Sequence, residues 1–278
     1  MLQIINRILQ SLYSRSRKLY TKISWNLDLL KTKKSKNTVL PHLPENRYIL
    51  LVPHADDEWM TNSMLVRYAN DVILVNMDMR GGDSDALHIV RRQEIESVAY
   101  KYFRPLHTLE CNKVESLKVL LQSNPNCTIV LPFFVDWHPE HLEVIEIFKT
   151  AIAQIEHSGC YKVLMYPVSC PMPIDYITHA NRMCKAQWTE KWDLFKNTYK
   201  TQIGIPFRRF SIVDRIYGKY VGAFAAEVYC LSDMADWKQL SEKVVIQDDM
   251  KYKLRNNLNR ISFCIDISSQ YLKKLWSK

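Results

Sequence analysis

Two short polar segments carry the side chains in this sequence that are best suited to bind a metal ion and to catalyse hydrolysis. The first segment, VPHADDE, contains His54, Asp56 and Asp57. The second, DWHPEH, contains His138 and His141, which are three residues apart. A catalytic zinc ion usually takes three protein ligands from His, Asp and Glu and keeps one position for water. The two segments together therefore predict a hydrolytic metal site.

The spacing within each segment suggests which side chains would bind the metal and which would act on the water. His54 and Asp57 lie at a predicted strand-to-helix turn, where both side chains can reach one ion. One or both of His138 and His141 could complete the ligand set. Asp56 would be left to act on a water that zinc activates by lowering its pKa to about 7. Such a carboxylate can take the proton of the water and pass it to a leaving amine.

Each segment also has a simpler interpretation. Asp56, Asp57 and Glu58 could favour a helix N-terminus through capping and the helix dipole. His138 or His141 alone would more often be a structural histidine that is held by hydrogen bonds. The metal-site interpretation is favoured because both segments occur in one chain and each follows an apolar, strand-like run.

The elements around these segments alternate between apolar runs and helical stretches. We predict strands at 47–53, 71–77, 106–110, 127–132 and 161–167 and helices at 58–69, 85–103, 113–123 and 139–157. After residue 170 we predict only a helix near 186–200 and a strand at 225–231. This alternation is typical of an α/β protein with a mainly parallel sheet and helices on both faces. Ligands of such sheets bind at the carboxyl ends of the strands, where both polar segments fall.

The charge of the chain is concentrated at its N-terminus. The 278 residues carry a net charge of +9, but residues 1–36 contain nine Lys or Arg and one acid. Apolar residues recur there at helical spacing, at Ile5, Ile8, Leu9, Leu12, Leu19 and Ile23. We therefore predict a basic amphipathic extension at 1–44, followed by a catalytic domain at 45–278. The near-neutral body argues against a nucleic-acid partner.

The extension has two interpretations. It could lie on an anionic membrane surface as an interfacial helix, or it could pack on the body or on a second subunit of an oligomer. No stretch is long enough to predict a transmembrane helix, and no small-residue cleavage site indicates a secretory signal. Seven scattered cysteines without a CxxC pair argue for a reducing compartment. We expect a cytoplasmic protein that could be peripheral at the inner face of the membrane.

The two polar segments resemble the signatures of a known enzyme family. VPHADDE resembles the PHPDDE signature, and DWHPEH the later HPDH signature, of the LmbE-like or PIG-L-type N-deacetylases. Three weaker segments also resemble this family, namely RRQEIESVAYKYF with Arg91 and Glu94, KWDLFKNTYKTQ, which ends in Thr201 and Gln202, and AAEVYCL with Glu227. The resemblance covers about residues 46–232. It implies a Rossmann-like zinc hydrolase that removes acetyl groups from N-acetylglucosamine conjugates.

The resemblance also implies a role for each residue of the two main signatures. His54, Asp57 and His141 would be the zinc ligands, and Asp56 would be the general base and then the general acid. His138 would stabilise the oxyanion or orient the substrate.

Three further residues would support them. Asp136 would be a partner of His138, and Glu58 would lie behind the ligands. Arg91 would bind sugar hydroxyls or an anionic group. The alternative for Arg91 is a surface ion pair with Glu94, three residues further along the same predicted helix.

Some residues depart from the family pattern and leave the substrate open. Ala55 stands where the family usually has Pro, and the segment EWMTNSMLV lacks the usual Gly-Gly. We expect a zinc-dependent de-N-acetylase that acts on an N-acetylated sugar, free or on a lipid or nucleotide carrier, in glycan or glycolipid biosynthesis. Fe²⁺ or another divalent metal would also suit His and Asp ligands. The alternative is a non-catalytic protein of the same fold that binds a metal or a sugar.

Overall fold

The computed structural model of the protein describes residues 2–33, 40–202 and 207–276. Seven strands of this part of the chain form one sheet: β1 Arg47–Val52, β2 Asp71–Asn76, β3 Leu106–Thr108, β4 Thr128–Pro132, β5 Lys162–Tyr166, β6 His179–Met183 and β7 Ala225–Asp233. Their order in the sheet is β3-β2-β1-β4-β5-β7-β6. Neighbouring strands from β1 to β5 are parallel, and β7 is antiparallel to both β5 and β6. The predicted α/β fold with a mainly parallel sheet is confirmed.

Eleven α-helices are found in the described residues: α1 Leu2–Lys31, α2 Asp57–Met60, α3 Ser63–Tyr68, α4 Asp85–Lys101, α5 Lys113–Gln122, α6 Pro139–Ile152, α7 Lys185–Thr198, α8 Phe207–Val221, α9 Met234–Lys243, α10 Asp248–Asn256 and α11 Ile261–Trp276. They cover both faces of the sheet. Successive residues of β1 alternate between two apolar clusters, with Ile49 and Leu51 in one cluster and Leu50 and Val52 in the other. This alternation is the consequence of the two-residue period of a strand.

Two predicted helices differ from the structure. The helix expected at 58–69 is interrupted, since α2 ends at Met60 and α3 starts anew at Ser63. Between them, Thr61 donates its hydroxyl to the carbonyl of Asp57 at 2.9 Å. The helix expected at 139–157 ends at Ile152. Strand β6 and helices α8 to α11 were not predicted, since the apolar pattern after residue 170 is irregular.

The last part of α1 packs against the rest of the chain. Trp25 is buried in the larger apolar cluster, and Asp28 accepts a hydrogen bond from the hydroxyl of Ser262 at 2.8 Å. Lys219 of α8 donates to the carbonyl of Leu29 at 3.0 Å. The division into 1–44 and 45–278 stays a prediction. The predicted positions that lie outside the described residues or side chains are four apolar residues, Ile5, Ile8, Leu9 and Leu12, and four of the nine bases, Arg7, Arg17, Lys34 and Lys36.

Three buried charges connect α7, α8 and β7. Lys191 is fully buried, and its Nζ lies 3.0 Å from Oδ2 of Asp214 and 2.9 Å from Oε1 of Glu227. Trp192 donates its indole N–H to Asp214 at 3.0 Å. Buried charges are tolerated when they are paired and hydrogen-bonded in this way.

Removing the lysine should therefore destabilise the fold strongly. We expect Lys191→Met to lower the free energy of unfolding by about 3–5 kcal/mol, because two buried carboxylates lose their counter-ion. Urea unfolding followed by circular dichroism measures this. Lys196→Met is the matched control on the same helix: its pair with Asp193 at 2.8 Å is exposed and should contribute no more than about 1 kcal/mol. Equal losses in the two variants would contradict the prediction.

Candidate active site

The site lies where the connections of the sheet change direction. Strands β1 and β4 are neighbours, but β1 is followed in the sheet by β2 on one side and β4 by β5 on the other. A crevice forms at the carboxyl ends of two such strands. His54 follows β1 directly, and His138 precedes α6, which has Pro139 at its first position. The topology therefore brings the two polar segments together at this edge, as the sequence predicted.

Three histidines meet in the crevice. Ligand nitrogens of His54, His138 and His141 all lie within 4.8 Å of one another. The ring centroids of His138 and His141 are 4.5 Å apart, and those of His54 and His141 are 5.2 Å apart. His141 is buried in the first turn of α6, whereas the other two rings are partly open to the pocket. The cluster forms a candidate metal site.

Asp57 adds a carboxylate to this cluster. Its Oδ2 lies 3.5 Å from Nδ1 of His54 and 3.8 Å from Nε2 of His141. Zinc–ligand bonds of about 2.0–2.1 Å in a tetrahedron put neighbouring ligand atoms about 3.3 Å apart. The three predicted ligands are therefore close to the spacing that one ion requires. Together with His138, four donor side chains converge, one more than a catalytic zinc needs.

Asp136 contacts a different histidine ring from the one we expected. Its Oδ2 is 3.1 Å from Nδ1 of His141, whereas it reaches His138 only by accepting the backbone N–H at 2.9 Å. It also accepts the backbone N–H of Ser169 at 2.9 Å. Burial raises the pKa of Asp136, but the charge and the hydrogen bond of His141 lower it by more. The net pKa is therefore below the ordinary value of an aspartate. Asp136 thereby directs Nε2 of His141 towards Asp57.

Asp56 is a buried carboxylate with an unused acceptor atom. It is 2% exposed, and its Oδ2 has no hydrogen-bond partner among the described residues. Its φ of 127° is one that L-residues rarely adopt. Burial and the charge of Asp57 raise the pKa of Asp56 well above its ordinary value. A buried acceptor with a raised pKa next to metal donors has the properties of a general base.

The helix-capping interpretation is wrong for Asp56. This residue precedes α2, but its side chain makes no capping hydrogen bond. The backbone of Asp56 is fixed by Glu58, whose Oε2 accepts the backbone N–H of Asp56 at 2.9 Å. Oε1 of Glu58 accepts the hydroxyl of Tyr199. Burial raises the pKa of Glu58 to about 7.

The electrostatic potential that the nearby carboxylates create at His54 favours a positive charge there. Burial lowers the pKa of His54, but hydrogen bonds to Asp57 and Glu140 and the nearby charges raise it more, to about 10. A divalent cation is favoured by the same carboxylates that favour this proton. The unpartnered oxygen of Asp56 and the converging donors therefore fit a bound metal.

The pKa of His138 is shifted in the opposite direction from that of His54. Burial, together with the positive charges of His141 and His54, lowers the pKa of His138 to about 4. Its Nδ1 is buried and has no hydrogen-bond partner among the described residues. A neutral imidazole in this position can donate one N–H to a substrate atom.

Glu140, which stands where the HPDH signature has Asp, is a residue of the site to which the sequence assigned no role. Its carboxylate contacts Nε2 of His54 and lies 3.9 Å from Nδ1 of His138. Gly81, with a φ of +54°, passes so close that a Cβ there would lie 2.8 Å from Oε1 of Glu140. The Gly81–Gly82 pair after β2 was the available signal, because glycine often marks a close backbone approach.

Arg91 faces the pocket, but it does not pair with Glu94. Its guanidinium contacts Asp83, so the predicted surface ion pair is wrong. Glu94 instead accepts the backbone N–H of Thr201 at 2.8 Å and its hydroxyl at 2.5 Å. Gln202 in turn donates to the carbonyl of Ala55 at 3.2 Å. The segment KWDLFKNTYKTQ, which ends in Gln202, therefore supports the loop after β1.

Glu227 of β7 holds the start of α3. It accepts the backbone N–H groups of Ser63 and Met64, both at 2.9 Å, and the hydroxyl of Ser63 at 2.6 Å. Two backbone N–H groups and the hydroxyl of Ser63 are thereby fixed at the start of α3.

The candidate metal site opens into a cavity of about 810 Å³. Its lining includes Asp56, His138 and Arg91, and residues of α8 and α10 complete it. The volume is within the range of small-molecule sites and is large enough for a sugar with a further substituent.

Two solved structures are similar to this one. The conserved protein TT1542 from Thermus thermophilus matches with a TM-score of 0.53 at 14% identity, over 66% of this chain and 94% of that chain. The N,N'-diacetylchitobiose deacetylase from Pyrococcus horikoshii, solved with its inhibitor MPG, matches with a TM-score of 0.55 at 16% identity, over 69% of this chain and 85% of that chain. This chain shares their fold.

The similarity confirms the Rossmann-like fold that the resemblance to LmbE-like deacetylases implied. No protein-family model and no curated protein matches the sequence. At these identities the match shows the fold alone.

Proposed function

We propose that the protein is a metal-dependent hydrolase that removes the acetyl group from an N-acetylated sugar. One observation carries the proposal: the unpartnered, buried carboxylate oxygen of Asp56 lies beside a cluster of metal donors at the mouth of a sugar-sized cavity. The reaction would belong to glycan or glycolipid biosynthesis.

His54, Asp57 and His141 would hold the metal, with zinc as the first choice and Fe²⁺ or another divalent ion as an alternative. When bound, the metal would supply Lewis acidity towards the acetyl carbonyl and towards water. Asp136 would keep His141 in the tautomer that offers Nε2, since it occupies the other ring nitrogen.

The remaining steps belong to side chains of the chain itself. Asp56 would take a proton from the attacking water and return it to the leaving amine. His138 would donate its N–H to the oxygen of the acetyl group as negative charge develops there. Glu58 would keep the backbone of Asp56 in place, and Arg91 would bind the sugar.

Acetate release from a panel of N-acetylhexosamine conjugates tests this function. We expect metal-stripped protein to release no acetate and added Zn²⁺ to restore the release. The alternative is a non-catalytic protein of this fold that binds a metal or a sugar. It would bind members of the panel, measured by calorimetry, without releasing acetate at any metal concentration.

The N-terminal helix would hold this enzyme at an anionic membrane surface. Leu19, Tyr20, Ile23, Leu27 and Leu30 of α1 are between 46% and 71% exposed. Because successive helical residues are about 100° apart, these five lie within one arc of about 100°. Trp25, which packs on the body, points away from this arc.

Basic residues accompany the apolar arc. Arg15, Lys18, Lys22, Lys31 and Lys33 are exposed along the same segment. An apolar face flanked by bases matches an anionic leaflet, where each base contributes about 1 kcal/mol. The enzyme would therefore be cytoplasmic and peripheral at the inner face. No described helix is long and apolar enough to cross a membrane.

Charged substitutions on the arc should abolish vesicle binding. We expect the Leu19→Glu, Ile23→Glu, Leu27→Glu variant to stay in solution when the wild type floats with anionic vesicles at low salt. Deleting residues 1–40 is a poorer test, because it would remove the buried Trp25. The control with the same change in charge is Tyr100→Glu, Val119→Glu, Tyr252→Glu, at exposed apolar positions elsewhere.

Wild-type protein that does not float would contradict the membrane role. A difference in mass between the wild type and the arc variant, measured by light scattering, would then identify the arc as a contact between subunits.

A further inference from the structure

The lining of the active-site cavity is divided by charge. Around the candidate metal site it contains four carboxylates and two arginines, namely Asp56, Asp57, Asp83, Glu140, Arg80 and Arg91. The part that comes from α8, α10 and the residues after α10 contains Arg209 and Arg255 but no carboxylate among its described lining residues. This second part also contributes two amides, Asn256 and Asn259, and two apolar side chains, Phe210 and Leu258.

Arg209 is a buried cation. It is 2% exposed, and none of the described carboxylates forms an ion pair with it. Its Nε donates to the carbonyl of Leu258 at 2.6 Å, whereas its Nη2 is buried with no hydrogen-bond partner in the described part of the chain. Burying an unpaired charge is costly. An arginine in this state would gain from an anion that enters the cavity.

The guanidinium of Arg255 lies over the ring of Trp137, in the segment that contains His138 and His141. Its guanidinium carbon lies 5.4 Å from the centroid of the Trp137 ring, and Trp137 precedes His138. Arg255 itself is exposed at the cavity. A group held by Arg255 would therefore lie near the reacting end of the substrate.

The other two arginines of the cavity are each paired with a carboxylate. Arg91 contacts Asp83, and Arg80 lies 3.3 Å from Oδ1 of Asp85. The positive charge that is available to a ligand is thus concentrated at Arg209 and Arg255.

We propose that Arg209 and Arg255 form a subsite for a phosphate group carried by the sugar, so that the substrate is an N-acetylated sugar phosphate or phosphodiester. The proposal rests on the proposed deacetylase function of the same cavity. The planar guanidinium offers paired N–H donors that match two phosphate oxygens. The free donor of Arg209 and the exposed donors of Arg255 would each take part.

Rates on matched substrates test the proposal. The panel contains a neutral methyl glycoside of N-acetylglucosamine, its 1-phosphate, a nucleotide diphosphate conjugate and a phospholipid conjugate. We expect kcat/KM of the wild type to be about tenfold or more higher for at least one phosphorylated member than for the neutral one. The member with the highest value identifies the source of the phosphate.

Substitutions should remove this preference. Arg255→Gln, at an exposed position, and Arg209→Gln should bring the ratio of the two kcat/KM values towards one. Arg209→Lys tests whether charge alone is enough. Arg80→Gln, whose side chain is already paired, should keep the ratio of the wild type. An unchanged ratio in both Arg209→Gln and Arg255→Gln would overturn the proposal.

Binding without catalysis separates this proposal from the deacetylase function. Calorimetry with glucosamine 1-phosphate and with glucosamine should show about tenfold or more tighter binding of the phosphorylated ligand. That difference should disappear in Arg255→Gln. If it does but no substrate releases acetate, the subsite stands and the proposed function fails. Equal binding of the two ligands by the wild type would refute the subsite.

Discussion

Replacing Asp56 by asparagine is expected to lower kcat for acetate release by about 10²–10⁴ while the protein keeps its metal. Asparagine has nearly the same shape, but it cannot take the proton of the attacking water. The side chain is buried and its Oδ2 has no described partner, so an amide nitrogen at the position of Oδ2 breaks no described hydrogen bond. Turnover and metal content should be measured on the same preparation.

Asp193→Asn provides the control for this variant. Asp193 lies in α7 away from the cavity, and its side chain is 56% exposed. The control should turn over like the wild type. If Asp56→Asn also retained near-full activity, the proton would have to be transferred by another group, and His138 would be the next candidate.

Replacing His141 by alanine is expected to abolish stoichiometric metal binding. The wild type should carry one divalent ion per chain, and the variant should carry almost none, because a catalytic zinc has only three protein ligands. Elemental analysis measures this, and circular dichroism checks the fold. Asp136→Asn should weaken metal binding by about 10–100-fold, since Asp136 only orients the ligand. His157→Ala, an exposed histidine, is the control.

The same measurement decides which donors form the ligand set. If His54, Asp57 and His141 hold the ion, Asp57→Asn should lose the metal and His138→Ala should keep it. A site of three histidines would give the reverse. Metal content of His141→Ala equal to that of the wild type would rule out both ligand sets.

Local sequence was sufficient for the first half of the fold. Apolar runs such as YILLV and DVILVN predicted β1 and β2 because a strand buried on both faces needs apolar residues at every position. After residue 170 this signal weakens. In β6 only Ala180 and Met183 are buried, because the strand lies at the edge of the sheet. Its sequence, HANRM, therefore has no apolar run to detect.

The sequence by itself determined which residues could do the chemistry and at which edge of the sheet they would meet. His54 and His138 each follow a parallel strand, and parallel strands end at the same edge. Only the tertiary structure decided the partners of these residues. Asp136 contacts His141 rather than the ring of His138, and Arg209 reaches the cavity from α8. Hydrogen bonds and buried charges depend on distances between segments far apart in the chain, and no local pattern encodes those distances.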